Sequence, residues 1–255
     1  MFDVTIDALT AGWTIAQRRK GHRHSTDDLL TGWYAIEIVP SPTTILDLGS
    51  GIGGVGLIAL WRSPAATLVA IEAQDTSFAL LTDNIERNRL TERVRAIHGD
   101  LREVRLPEPF DLVTGSPPYW DVSEGVLPAD SQKAHARFEL RGDVRDYALA
   151  ARAALAVNGR FVFCFPTVQR ARAEAACVAA DLAVVRSRDV IPRASAAPLF
   201  TLFACRRVED GSEPHVREPD HLVRDEHGVE TPMHAAARAA LGFKPAALDG
   251  KSEPR

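Results

Sequence analysis

Ser116-Pro117-Pro118-Tyr119 directly follows the apolar run 110–115, and two consecutive prolines at the end of a strand force the chain out of the sheet as a stiff loop. Each proline lacks an N–H and fixes φ near about −65°, which leaves bare carbonyl oxygen facing outward. An aromatic ring held beside acceptor oxygens suits a flat ring that carries an amino group. Tyr119 can stack on such a ring while the Ser116 hydroxyl and the Pro117 carbonyl accept its amino hydrogens. A nucleobase has that shape and chemistry. A plain surface loop with adjacent prolines is the bland alternative, and residues upstream weigh against it.

Thr43 to Gly56 reads as a short buried strand, a glycine-rich turn and the start of an amphipathic helix through Leu57, Ile58, Leu60 and Trp61. Gly49, Ser50, Gly51, Ile52, Gly53 and Gly54 satisfy the spacing G-x-G-x-x-G, which lets backbone approach a nucleoside-bearing cofactor at a helix N-terminus. That spacing alone serves a dinucleotide and other nucleosides equally. Asp47 stands just before the glycines, where it would sit badly beside a pyrophosphate but could hold the cationic amino-acid end of S-adenosylmethionine. Glu72, which closes the run 67–72 ahead of Ala73, is placed to accept both ribose hydroxyls. Asp100, followed by Leu101 after the run 94–98, can take the adenine amino group. The second acid and the Pro-Pro loop together favour the methyl donor over a dinucleotide.

With these residues the chain resembles the class I S-adenosylmethionine-dependent methyltransferases that modify amino groups, in which Asn/Asp/Ser-Pro-Pro-Tyr/Phe/Trp follows the fourth strand. More narrowly, it resembles the bacterial N6-adenine methyltransferases that modify the anticodon loop of a valine tRNA, over most of residues 12–206. The narrower match rests on Ser25-Thr26-Asp27-Asp28-Leu29-Leu30 with Trp33, on 47–54, on Asn84, Ile85 and Asn88, on Ala136-Arg137 and on Asn158-Gly159. The resemblance implies that Thr26 and Asp27 border the methionine end of the cofactor. It further implies cofactor contacts at Gly49, Ser50, Gly51, Gly53, Glu72, Ala73, Asp100, Leu101 and Ser116, with Ser116, Pro117, Pro118 and Tyr119 as the catalytic loop. That tRNA family usually has Asn where this chain has Ser116, and a hydroxyl is shorter than an amide and rotates. Ser-Pro-Pro-Tyr also occurs in cytosine-N4 DNA methyltransferases, so adenine N6 and cytosine N4 both stand as targets.

The chemistry implied is direct in-line transfer of a sulfonium methyl to an exocyclic amino nitrogen of a base drawn out of its stack. Hydrogen bonds from the amine to Ser116 and the Pro117 carbonyl would help the nitrogen pyramidalise and absorb developing positive charge, and no strong base is required. Structured RNA, tRNA above all, is the expected substrate, because an unpaired loop base costs little to extract. Glutamine amides of release factors, small amines, and a degenerate RNA-binding version of the fold are the rival readings.

At 255 residues and 45% apolar the chain can bury one sizeable core. No stretch approaches a membrane span of ~20 apolar residues and no signal segment opens the sequence, which predicts a cytoplasmic protein. Cys164, Cys177 and Cys205 lie apart in apolar segments as reduced core thiols, and the histidines show no metal-ligand spacing, so no metal is expected. The oligomeric state is not legible. A net charge of −4 counts against a nucleic-acid partner unless the cations are clustered. Two clusters answer that: the run 18–24 with Arg23 and His24, and Lys133, His135, Arg137 and Arg141 beyond Trp120. Arg23, His24, Trp120, Lys133, His135 and Arg137 are accordingly the candidate substrate contacts.

Apolar runs near 44–48, 67–72, 94–98 and 110–115 alternate with helical periods near 54–62 and 76–89, the pattern of a parallel sheet covered on both faces. A helix over 143–157 stopped by Asn158-Gly159, a strand over 161–165, a helix from Thr167, and strands over 182–188 and 199–205 complete the expectation. The predicted fold is therefore α/β, a Rossmann-like doubly wound sheet of about seven strands, mostly parallel with a final antiparallel hairpin. Residues 1–42 are expected to form a hairpin and helix packed on the catalytic domain 43–207, with 208–255 a polar, partly disordered tail containing a helix near 231–241. The polar connection 120–141 is expected to act as a lid.

Overall fold

The computed structural model describes residues 3–120, 130, 132, 138–140 and 142–243. Val4–Ala8 (β1) and Thr14–Arg18 (β2) form the expected antiparallel hairpin. Thr26–Ile38 (α1) begins at Ser25, whose backbone N–H donates to Asp28 Oδ2 at 3.1 Å, and the two first-turn acids favour the positive helix end. Then follow Thr44–Leu48 (β3), Gly54–Arg62 (α2), Thr67–Glu72 (β4), Asp75–Arg87 (α3), Val94–His98 (β5) and Phe110–Gly115 (β6). The second half adds Val144–Ala154 (α4), Leu155–Pro166 (β7), Arg170–Ala179 (α5), Leu182–Ile191 (β8) and Phe200–Arg207 (β9).

The strands order as β8-β9-β7-β6-β3-β4-β5, and only β9 runs antiparallel to its neighbours. These are the seven expected strands with the expected final hairpin. Apolar residues cover both faces: Ile45, Leu68, Leu112 and Val162 point to α1–α3, while Leu46, Leu48, Val113 and Phe163 point to α4 and α5. Alternation along each strand sends successive side chains to opposite layers, which is why the strands read as continuous apolar runs. Asn158 does adopt the left-handed region at φ 62, but α4 already ends at Ala154 and the residue bends β7 rather than stopping a helix.

Two polar residues of α3 dock the hairpin. Asn84 accepts the Ala16 N–H at 2.6 Å and donates to the Ala16 and Ile52 carbonyls; Asn88 accepts from Thr14 N–H and donates to its carbonyl. Each amide thus acts as one residue of a partner strand for the β2 edge, and Asn84 grips the glycine loop at the same time.

The segment after Asp210, expected as a tail, joins the sheet. Val216–Arg217 (β10) and His221–Leu222 (β11) pair parallel to β8, and Pro232–Ala240 (α6) packs on α1, with the Arg62 guanidinium donating to the Ala240 carbonyl. Two-residue strands are too short to show a period, and the core they build is a histidine pair, which composition counts as polar. His221 Nε2 and His234 Nδ1 lie 3.1 Å apart, and the His221 ring meets the buried Trp33 ring at 5.5 Å. Burial pushes the pKa of His221 down to about 4, helped by His234 and Arg188, and burial also lowers His234 against the opposing pull of Glu230. The folded protein therefore binds fewer protons than the unfolded chain between about pH 4 and 6.5, so stability is complete above that window and is lost as pH falls through it. Through this pair, acidification from about pH 7.5 to about pH 5 costs about 2 kcal/mol, so over that interval in thermal unfolding His221→Gln should lose less stability than the unaltered protein, by up to about 2 kcal/mol. Equal slopes in the two proteins would show that the pair does not fold as neutral rings.

Candidate active site

The carboxyl ends of β3, β4, β5 and β6 open into one cavity of about 570 Å³. Its wall combines Asp47, Gly49, Ser50 and Gly51 from the glycine loop, Glu72 and Ala73 after β4, Leu101 after β5, and Ser116 through Trp120 after β6. Arg23 and Asp27 close it from the N-terminal side. Open parallel sheets bind ligands at this edge because the strand ends leave loops and helix N-termini around one crevice.

Asp47 is 1% exposed, and its Oδ1 accepts the Thr114 hydroxyl at 2.7 Å while Oδ2 accepts the Gly56 N–H at 3.1 Å. A Cβ at Gly56 would lie 2.7 Å from that carboxylate, so only glycine lets α2 start so close to the acid. Burial pushes the pKa of Asp47 up to about 6 against these hydrogen bonds, and no cation among the described residues pairs with it. Glu72 is fixed differently: Oε2 accepts the Gly51 N–H at 2.7 Å and Oε1 the Gln74 N–H at 2.6 Å. Two backbone N–H groups from different turns thus fix the orientation of the carboxylate.

The Pro-Pro loop is held from behind. The Tyr119 hydroxyl donates to Asp27 Oδ2 at 2.9 Å and lies 3.4 Å from Cys164 Sγ; its ring meets Phe165 edge-on, and Gln169 Nε2 donates to its carbonyl at 2.8 Å. Ser116 Oγ also lies 3.4 Å from Cys164 Sγ. Burial, then the neighbouring Cys164 and Asp27, raises the Tyr119 pKa well above its ordinary value, and burial pushes the Cys164 thiol up to about 12. Both groups stay protonated near neutral pH, so Tyr119 is a donor to Asp27, and Asp27 Oδ1 accepts from the Ser25 hydroxyl.

Residues 35–137 match the methyltransferase small domain. A tRNA1(Val) (adenine(37)-N6)-methyltransferase of a Flavobacteriaceae bacterium is 27% identical over 186 residues, 73% of this chain and 78% of that protein. The protein of the same description from Vibrio cholerae is 32% identical over 100 residues, 39% of this chain and 41% of its own. The chain is a methyltransferase. Its fold also matches a solved protein from Agrobacterium tumefaciens described as a predicted O-methyltransferase, with a TM-score of 0.65 at 15% identity over 85% of this chain and 97% of that one.

Not every expected site residue reaches the wall of this methyltransferase. Thr26 and Gly53 stand behind it, and Asp100 turns outward, accepting from the Arg102 backbone N–H, Nε and Nη2 at 2.9, 2.9 and 2.6 Å, on a shallow depression shared with Ala73 and His98. The basic run is matched by acids. Arg23 donates to Thr5 and pairs with Asp7 at 3.0 Å, His24 Nδ1 lies 3.3 Å from Asp28, Arg18 pairs with Asp130 at 2.8 Å, and Arg19 with Asp3 at 3.4 Å. Trp120 is on the rim and 42% exposed. Lys133, His135 and Arg137, with most of the connection read as a lid, lie outside the described residues.

Several wall residues carried no sequence expectation. Gln74 caps α3 by accepting the Ser77 N–H at 2.6 Å, a role its place just before Asp75 could have suggested. Gln132 and Tyr147 have no local signal. The Gln132 amide donates to the Ser77 hydroxyl at 3.2 Å and wedges against Gly21, where a Cβ would fall 2.2 Å from its oxygen. The Tyr119–Asp27 contact joins two segments 92 residues apart, so Tyr119→Phe should cost about 0.5–1.5 kcal/mol of stability. Combined with Asp27→Ala it should be non-additive by at least about 0.5 kcal/mol in thermal unfolding, and strict additivity would show that the bond does not form in solution.

Proposed function

We propose that this methyltransferase carries a methyl group from S-adenosylmethionine to an exocyclic amino nitrogen of a nucleobase, adenine N6 of a tRNA. The observation that carries the reading is that the Ser116-Pro117-Pro118-Tyr119 loop opens on the same cavity as Asp47, the glycine loop and Glu72. Two chemistries therefore share one space. The names of the relatives support the base and the RNA class.

The residues fit the cofactor. A buried carboxylate raised to about 6 with no cationic partner among the described residues is a cost to the empty fold, and a ligand ammonium relieves it. Glu72, oriented by two backbone N–H groups, is the acceptor for ribose hydroxyls, and Gly49 and Gly51 keep the backbone bare beside it. When bound, S-adenosylmethionine supplies an electrophilic methyl group on a positively charged sulfur.

The chain itself positions the acceptor. Ser116 Oγ and the Pro117 carbonyl accept the hydrogens of the target amine, which localises the nitrogen lone pair and disperses the positive charge that develops on it. Prolines hold both oxygens on a stiff loop, so little reorganisation is needed as the charge develops. The ring of Tyr119, fixed by Asp27 and Phe165, offers a face to the base, and the exposed Trp120 beside it can exclude water from the mouth. No group in this set needs to act as a strong base, because the proton is lost after the nitrogen has become cationic.

The test is incubation with methyl-labelled cofactor and, separately, total RNA, DNA and protein from cells lacking the gene, with the nucleic acids digested to nucleosides for mass spectrometry. Label in N6-methyladenosine from tRNA is expected. Label in N4-methylcytosine would replace adenine by cytosine, and label only in protein or small amines would overturn the nucleobase reading. Ser116→Ala and Tyr119→Ala should each lower turnover with cofactor affinity nearly unchanged; loss of cofactor affinity in both would sink the assigned roles. Because the cation binds the carboxylate form of Asp47, calorimetric affinity for S-adenosylmethionine should hold above about pH 6 and weaken by up to about tenfold per unit below it. Asp47→Asn should bind weakly at every pH, and an unaltered pH dependence in that variant would place the ammonium elsewhere.

A further inference from the structure

Tyr147 stands in the first turn of α4, on the face of the sheet opposite α2, and its ring runs beneath the ends of β3 and β6. A Cβ at Gly115 would fall 2.9 Å from its Cδ1, and one at Gly49, which also needs φ 61, would fall 1.9 Å from its hydroxyl oxygen. Two strand-end glycines are thus fitted to this one side chain. Only 6% of Tyr147 is exposed, yet it forms part of the cavity wall, and among the described residues its hydroxyl has no hydrogen-bond partner. The hydroxyl oxygen is not sealed in the core but reaches the cavity, where an acceptor atom of a ligand can meet it.

The charge around it sets its role. Burial first, then Glu72, Asp47 and Asp100, raises its pKa far above the ordinary tyrosine value, so it remains a neutral donor. The charged wall groups in its field, Asp47 and Glu72, are acceptors. A nucleoside carries both hydroxyl donors, which Glu72 suits, and ether and ring-nitrogen acceptors, which need a donor.

We propose that Tyr147 is a cofactor-binding residue whose hydroxyl donates a hydrogen bond to an acceptor atom on the nucleoside half of S-adenosylmethionine. The inference rests on the S-adenosylmethionine reading above. The nucleoside half is chosen because the hydroxyl meets the wall at Gly49, in the field of Glu72, while the ring edge, which carries no polar atom, is what lies against Gly115 ahead of the Pro-Pro loop.

Tyr147→Phe keeps the ring under both glycines and removes only the hydroxyl. Calorimetric titration with S-adenosylhomocysteine and with 5′-methylthioadenosine, which lacks the amino acid, should show both weakened by about three- to tenfold in the variant. Equal affinities in the two proteins would make Tyr147 a strut alone and overturn the proposal. Weakening confined to S-adenosylhomocysteine would overturn it too, by moving the contact to the amino-acid half. Failure of the unaltered protein to bind either compound would instead sink the cofactor reading itself. A second measurement needs no substitution: the chain has three tyrosines, so carbon-13 at Cζ gives three resolvable signals. The Tyr147 signal should shift on addition of 5′-methylthioadenosine, and an unmoved signal at saturation would count against the contact even if the variant failed to fold.

Discussion

A carboxylate buried at the end of the central strand is the constraint around which the rest of the molecule is arranged. Asp47 sits on β3, between β4 and β6, and its two oxygens are taken by the first turn of α2 and by Thr114 of β6. Gly56 must be small for that approach, which fixes how closely α2 follows the glycine loop. Thr114 lies two residues before Ser116, so the same carboxylate also sets where the Pro-Pro loop leaves the sheet. An anion in that place is unfavourable by itself, and the fold tolerates it because polar donors surround it and, on the proposed reading, because a cationic ligand completes it.

The second organising contact is at the far end of the loop. Tyr119 is anchored to α1 through Asp27, to β7 through Cys164 and Phe165, and to the turn before α5 through Gln169. A strand end, a helix start and a neighbouring strand therefore hold one tetrapeptide whose prolines already limit its motion. On the proposed reading, acceptors fixed in this way stabilise developing charge better than solvent does, because they are oriented before the reaction begins.

Electrostatics at the N-terminal hairpin follow a different logic. The cations of the run 18–24 face Asp3, Asp7, Asp28 and Asp130, so the cluster serves to close the hairpin over the cavity as much as to present positive charge. This pairing agrees with the net charge of −4: the cations are local and largely answered. Asn84 and Asn88 complete the arrangement by giving β2 the hydrogen bonds that a neighbouring strand would have supplied.

The sequence by itself determined the sheet, its crossover helices and where the Pro-Pro loop leaves it, because each rests on local rules: apolar runs of strand length, glycines where backbone must turn, prolines where it must leave a ladder. That Asp47, Glu72, Ser116 and Tyr119 come to one cavity wall was legible for the same reason, since each stands at or just past a strand end that the pattern marks. The wall positions of Gln132 and Tyr147 and the pairing of Arg18, Arg19 and Arg23 with acids were decided by tertiary structure alone. So was the addition of β10, β11 and α6, whose buried histidine pair reads as polar in the chain and as core in the fold. A side chain's direction and partners depend on residues tens of positions away, brought together only when the sheet has closed, and no local period records them.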